Sequence, residues 1–197
     1  MVNVAGGLSG TLALARGDAD WTDRLPMDAN AVFASFAAVP LSLPAIALFN
    51  EAMRRLAQTM PEAAEAAAGI SPATFLIANL VSAVLCWAAS LLVLAQLAQR
   101  SGAGWRVSPL IVGYNWSRLL LNLVAGLGAA VAVLTGAGPV VALVALVVLG
   151  LTVWLDVAVI RHALGLPVGR ALGAFAMVVL ARGVATATVD LAARLFV

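Results

Sequence analysis

Four prolines, Pro72, Pro109, Pro139 and Pro167, each stand at the head of a long apolar run, and that punctuation limits the chain more than any other feature. Proline is tolerated in the first turn of a helix, where its missing N–H would have had no partner, and not in the middle. Two of the four follow a serine, Ser71 and Ser108, a residue type that caps helix N-termini through its hydroxyl. The runs they open, residues 72–98, 109–135, 139–160 and 168–196, are each long enough to cross a hydrocarbon layer, which takes about 20 apolar residues. In a soluble protein such helices would need a polar coat. With 63% hydrophobic and 10% charged residues over 197 positions, against roughly 45–50% and about 25% in soluble domains, the chain cannot supply one. Lipid is the expected solvent for most of the surface. The expected fold class is all-α, an integral membrane bundle of five transmembrane helices.

The remaining span is the first in chain order, about residues 30–49, with Pro40 and Pro44 near its centre. Each proline removes a backbone donor and crowds the preceding turn, so this helix is expected either to kink or to form a re-entrant hairpin. Ser35 and Ser42 are available to satisfy freed carbonyls. Residues 1–28 read as an N-terminal cytoplasmic or interfacial segment, and residues 29–197 as the transmembrane domain. Val4, Leu8 and Leu12 recur at helical spacing and suggest a short helix lying in the interface, which Gly6, Gly7 and Gly10 weaken. The first residues lack a basic stretch and a strongly apolar core, so no cleavable signal is expected. Residues 51–70 are expected to hold two short surface helices, with Glu51 and Arg55 paired at i, i+4 and the second helix opening at Pro61-Glu62.

All eleven basic residues are arginine, a usage that suggests a GC-rich bacterial genome and hence the bacterial inner membrane. Five spans put Arg16, Arg24, Arg100, Arg106, Arg161 and Arg170 on one side and Arg54, Arg55 and Arg194 on the other. Arginine-rich loops stay cytoplasmic, so the N-terminus is expected inside and the C-terminus outside. No basic run points to nucleic acid. Cys86 stands alone in an apolar segment, which excludes a disulfide framework and a thiolate metal site.

Charge inside a membrane is costly and marks candidate sites. Arg182 lies midway between Arg170 and Arg194, which are roughly 36 Å apart along a helix and so match the two faces of a bilayer. Arg118 lies deep if its helix enters the hydrocarbon at Pro109, and near the surface if Tyr114 and Trp116 belong to the interfacial aromatic belt. Asp156 matches Arg118 in depth, so an ion pair between the third and fourth spans is expected; Arg182 could reach Asp156 or Asp190. The candidate polar network is Asn115, Arg118, Asn122, Asp156, Arg182 and Asp190. Helix packing is expected at Asn79, Ser82, Cys86 and Ser90 on the second span, at Gly126 on the third, and at the Gly169–Gly173 step on the fifth. His162, beside Arg161, reads as an interface residue, since a metal would need further ligands close by. No catalytic, cofactor or metal constellation stands out.

The pieces LARGDADW (14–21), FASFAAVPLSLP (33–44), YNWSRLL (114–120) and IRHALGLP (160–167) resemble the bacterial relatives of the Yip family of Rab-interacting membrane proteins. The resemblance implies five spans, a cytosolic N-terminus and a broken first span, with no catalytic residues. The acidic-Leu-Gly-Pro signature of the eukaryotic members is absent, which removes the basis for a Rab-binding role. The function expected is that of a non-enzymatic multi-pass protein acting through a membrane-protein partner or as a homo-oligomer: a scaffold, assembly factor or accessory subunit. The alternative is a small transporter or channel subunit using Arg182, Asp156 and Asp190.

Overall fold

The computed structural model describes residues 2–61, 71–136 and 138–194, and every regular element within them is a helix. In order these are α1 (Val4–Arg16), α2 (Trp21–Arg24), α3 (Ala29–Ser35), α4 (Ala38–Ala57), α5 (Pro72–Arg100), α6 (Val107–Thr135), α7 (Gly138–Leu164) and α8 (Val168–Arg194), with a 3-10 turn at Gly104–Arg106. Among the described residues five stretches are long and apolar enough to cross a membrane: Ala29–Ala57, Pro72–Arg100, Gly104–Thr135, Pro139–Leu164 and Val168–Ala192.

The proline punctuation holds, with one change of detail. Ser71 caps α5, its hydroxyl accepting from the Thr74 N–H at 3.1 Å, with Pro72 in the first turn. Ser108 does not cap α6. The 3-10 turn starts that helix earlier, at Val107, so Ser108 and Pro109 both fall inside its first turn, where the proline still displaces no hydrogen bond.

The first span bends and crosses. Pro40 cannot donate to the Phe36 carbonyl, and its ring crowds that turn. The chain tightens just ahead of it: the N–H groups of Phe36, Ala37 and Val39 reach three residues back, to Phe33, Ala34 and Phe36, at 3.2, 3.1 and 3.0 Å. Phe36 no longer serves the Val32 carbonyl, which instead accepts from the Ser35 hydroxyl at 2.7 Å. Beyond the bend α4 tolerates Pro44 within it and continues to Ala57. Ser35 meets Asn115, Ala45 meets Gly126, and Ala52 clusters with Ala129 and Ala132, so α3–α4 ascends alongside α6 in parallel. A first span parallel to the third is what alternating crossings give, and a re-entrant hairpin would not. Glu51 forms ion pairs with both Arg54 and Arg55 at 2.8 Å on the last turns of α4, so this stretch prolongs the span where a separate surface helix had been expected. The expected second helix, opening at Pro61-Glu62, lies beyond Pro61 outside the described residues.

The other neighbours are antiparallel. Gly128 lies against Val144 and Gly113 against Val159 along α6 and α7, while Cys86 meets Thr186 and Ser90 meets Arg182 along α5 and α8. Helix α6 is the centre of the bundle: Leu110, Val112, Tyr114, Asn115, Leu119 and Ala129 on it are all buried. The N-terminal helix also belongs to this core. Instead of floating at the interface, α1 packs on α6 and α7 and buries Thr11, Ala13, Leu14 and Ala15. A Cβ on Gly7 would come within 2.4 Å of the Trp116 ring, so that glycine, expected to weaken the helix, permits its closest approach.

Gly126 plays the same part for the first span, since a Cβ there would stand 2.7 Å from Ala45 Cβ and 2.9 Å from its Cα. The Gly169–Gly173 step makes no such contact; both glycines are exposed and a Cβ on either meets nothing within 4 Å. The step therefore packs against no other helix of this bundle, contrary to expectation, because α8 turns that face away from α5 and α7. The contrast is measurable in detergent. Gly126→Ala is expected to lower stability by about 1–3 kcal/mol through overpacking, whereas Gly173→Ala is expected to leave it unchanged or raise it by about 0.5–1 kcal/mol. Equal thermal shifts in the two variants would contradict the α4–α6 contact.

Candidate functional site: an arginine–aspartate cluster inside the bundle

Three of the charges singled out in the sequence converge. The Asp156 side chain on α7 is 0% exposed, and each of its oxygens accepts from a different guanidinium. Arg118 on α6 donates through an Nη to Oδ1, and Arg182 on α8 donates through an Nη to Oδ2 at 3.0 Å. The arginine side chains are 14% and 20% exposed, so all three groups lie largely out of reach of solvent. Arg118 stands about 17 Å along α6 from Val107, and Arg182 about 21 Å along α8 from Val168, well inside both spans.

The surroundings of Arg118 are those of a packed core. Tyr114 is fully buried and Trp116 lies beneath α1, so both face the bundle and neither presents its ring to lipid. Tyr114 presents its hydroxyl to Arg182 as an acceptor, and its ring lies 5.1 Å from the Arg118 guanidinium, within cation–π range. Ser90 on α5 completes the shell: its hydroxyl donates to the Cys86 carbonyl at 2.6 Å, which turns an oxygen lone pair toward Arg182 Nε at 3.0 Å.

A second polar link lies beside the first. Trp87 on α5 donates its indole N–H to Asn115 Oδ1 at 2.8 Å, and Asn115 donates to the Ser35 hydroxyl at 2.9 Å. Cys86 contacts the Arg182 carbonyl and the Thr186 hydroxyl at 3.5 and 3.3 Å. The two links together join α3, α5, α6, α7 and α8. Hydrogen bonds in a setting of low dielectric are strengthened, and these polar groups are held largely by one another.

The remaining expected site residues fall elsewhere. Asn122 faces the cluster across a cavity without bonding to it. Asp190 is exposed and takes no part in the network. Eight residues beyond Arg182, it has swung roughly 80° around the helix and risen about 12 Å. Asn79 bonds within its own helix, to the Phe75 carbonyl at 2.8 Å, and Ser82 approaches Cys86 at 4.0 Å, so neither reaches another span. His162 lies against Gly17, and among the described residues no three His, Cys, Asp or Glu side chains gather as metal ligands would.

A cavity of about 230 Å³ opens against the cluster, lined by Arg118, Arg182, Tyr114, Trp87, Asn122 and Phe49, among others. Tyr114 and Trp87 are the members of the candidate site that the sequence did not reveal. Ser90 was visible as the last member of the polar stripe on α5, but Trp87 lies one residue off that stripe. Tyr114, the one tyrosine of the chain, carried a competing reading as an interface anchor. Comparison of the chain with protein-family models, with curated proteins and with solved structures gives no match.

Removing the shared carboxylate leaves two largely buried guanidiniums facing each other without a counter-charge. Asp156→Asn is expected to cost about 3–5 kcal/mol, the range for breaking a buried charge pair, read as a large drop in unfolding temperature in detergent. Asp190→Asn is expected to have no effect. Comparable losses in the two would show that Asp156 is not the anchor.

Proposed function

We propose that this chain is a non-enzymatic, multi-pass inner-membrane protein that acts through a partner helix, as a scaffold, assembly factor or accessory subunit. The observation that carries this reading is a seam on the outer face of α8. Gly169, Gly173, Ala176, Gly183 and Ala187, with the larger Leu180 between Ala176 and Gly183, recur at alternating steps of four and three, and all are exposed. A Cβ on any of the three glycines meets nothing within 4 Å. Small residues at this spacing let two helix backbones approach closely, and in lipid such packing drives association where a purely apolar surface would not. The central polar groups, by contrast, bond one another and offer no base beside a nucleophile, which supports a non-catalytic role.

In the same proposal the N-terminus is cytoplasmic and the C-terminus outside, as the six-to-three distribution of arginine supports. Assignment to the bacterial Yip-like proteins is also part of it, supported by the five spans and the break in the first one. The cavity against Arg182 favours a second reading, a small transporter or channel subunit using Arg182 and Asp156, without Asp190.

The test is purification of the tagged chain from its native membrane in mild detergent, beside Gly173→Leu and Gly183→Leu variants. A stoichiometric partner or a homo-oligomer is expected for the unmodified chain. Each variant is expected to release it at least tenfold more readily, a loss of about 1.4 kcal/mol, with unfolding temperature of the separated chain unchanged. A lone species in every sample, or a complex indifferent to both leucines, would reject the seam as the contact.

A further inference from the structure

The central cluster holds two guanidiniums and one carboxylate, so it carries one positive charge more than it neutralises. Among the described residues no other acidic side chain pairs with either arginine. Neutral acceptors, Ser90 and Tyr114, share the excess without cancelling it. An uncompensated cation at this depth is costly unless a counter-charge comes to it. Arg118 Nε is in addition a buried donor without an acceptor.

The space for a counter-charge is present. Both arginines, with Tyr114 and Asn122, line the polar part of the cavity, while Ile46, Phe49, Ala83 and Ala125 supply apolar wall. Its volume of about 230 Å³ is room for several waters. That is room for a small anion, or for the head and first carbons of a single-chain amphiphile. A guanidinium fork matches a planar carboxylate best, the arrangement Asp156 already displays.

We propose that this cavity is a binding site for a singly charged carboxylate, which completes the charge balance of Arg118, Arg182 and Asp156. The carboxylate can come from water or from a fatty acid in the bilayer, and the two sources are separable. The inference does not depend on the α8 seam.

The experiment follows the unfolding temperature of the full chain in uncharged detergent while acetate or decanoate is titrated, with ionic strength held by a bulky sulfonate buffer. A saturable rise is expected with at least one of the two. Saturation by acetate points to an aqueous source; saturation by decanoate at concentrations where acetate has no effect points to the bilayer. Ala83→Leu, which fills the cavity without touching an ion pair, is expected to abolish the response. Asp156→Asn, with its added positive charge, is expected to bind the same carboxylate about tenfold or more tightly and to regain stability as it binds. If Asp156→Asn does not fold, Ala83→Leu decides. Indifference of the unmodified chain to both carboxylates, or a response that survives Ala83→Leu, overturns the site.

Discussion

The bundle depends on one carboxylate being shared. Asp156 is the only acidic side chain among the described residues that pairs with the arginines of α6 and α8, and it lies where an unpaired charge of either sign would be intolerable. Without it the two guanidiniums would face each other with no carboxylate between them. With it, three helices whose outer surfaces are otherwise interchangeable apolar cylinders acquire a fixed rotation and a fixed height. In lipid this matters more than in water, because apolar helices gain nothing from excluding solvent that lipid tails do not already give. Polar anchors and close backbone approach must set the register instead.

The glycines and alanines of α6 supply the second of those devices. Gly113, Gly126 and Gly128 lie against Leu14, Ala45 and Val144, so this helix is approached closely from three directions. Helix α6 therefore carries both the polar centre and the tightest contacts, and the rest of the chain is arranged around it. The N-terminal helix is held by the same principle, with Gly7 against Trp116, which explains how a segment with only modest apolar character becomes part of the core.

Much of this was readable beforehand. Helix number followed from prolines that can stand only at a helix start, and the depth of Arg182 followed from its distance to Arg170 and Arg194. The partnership of Arg118 with Asp156 followed from matched depth, because ion pairing inside lipid leaves few choices. What could not be read was rotation. Gly169 and Gly173 look like a packing motif whichever way α8 turns, and only the contacts of Cys86, Ser90 and Arg182 fix its inner face. The packing of Tyr114 and Trp116 was hidden for a related reason: aromatic residues near an end of a span can face lipid or the bundle, and what covers Trp116 is α1, a helix with few apolar cues. The choice between a bend and a hairpin at Pro40 and Pro44 likewise turned on long-range register with α6, which no local pattern encodes.

The arrangement of the charge cluster also has a consequence for how the chain is assembled. Synthesis supplies its members in the order Ser90, Tyr114, Arg118, Asp156 and finally Arg182. The third and fourth spans can thus leave the insertion machinery as a neutral hairpin, with Arg118 already paired to Asp156. The last span arrives carrying a charge that it cannot neutralise by itself, and finds three acceptors waiting on helices made before it. Closure of the bundle is in this sense the partitioning of α8 out of lipid and onto a prepared surface, and the most hazardous residue of the chain is the last to be committed.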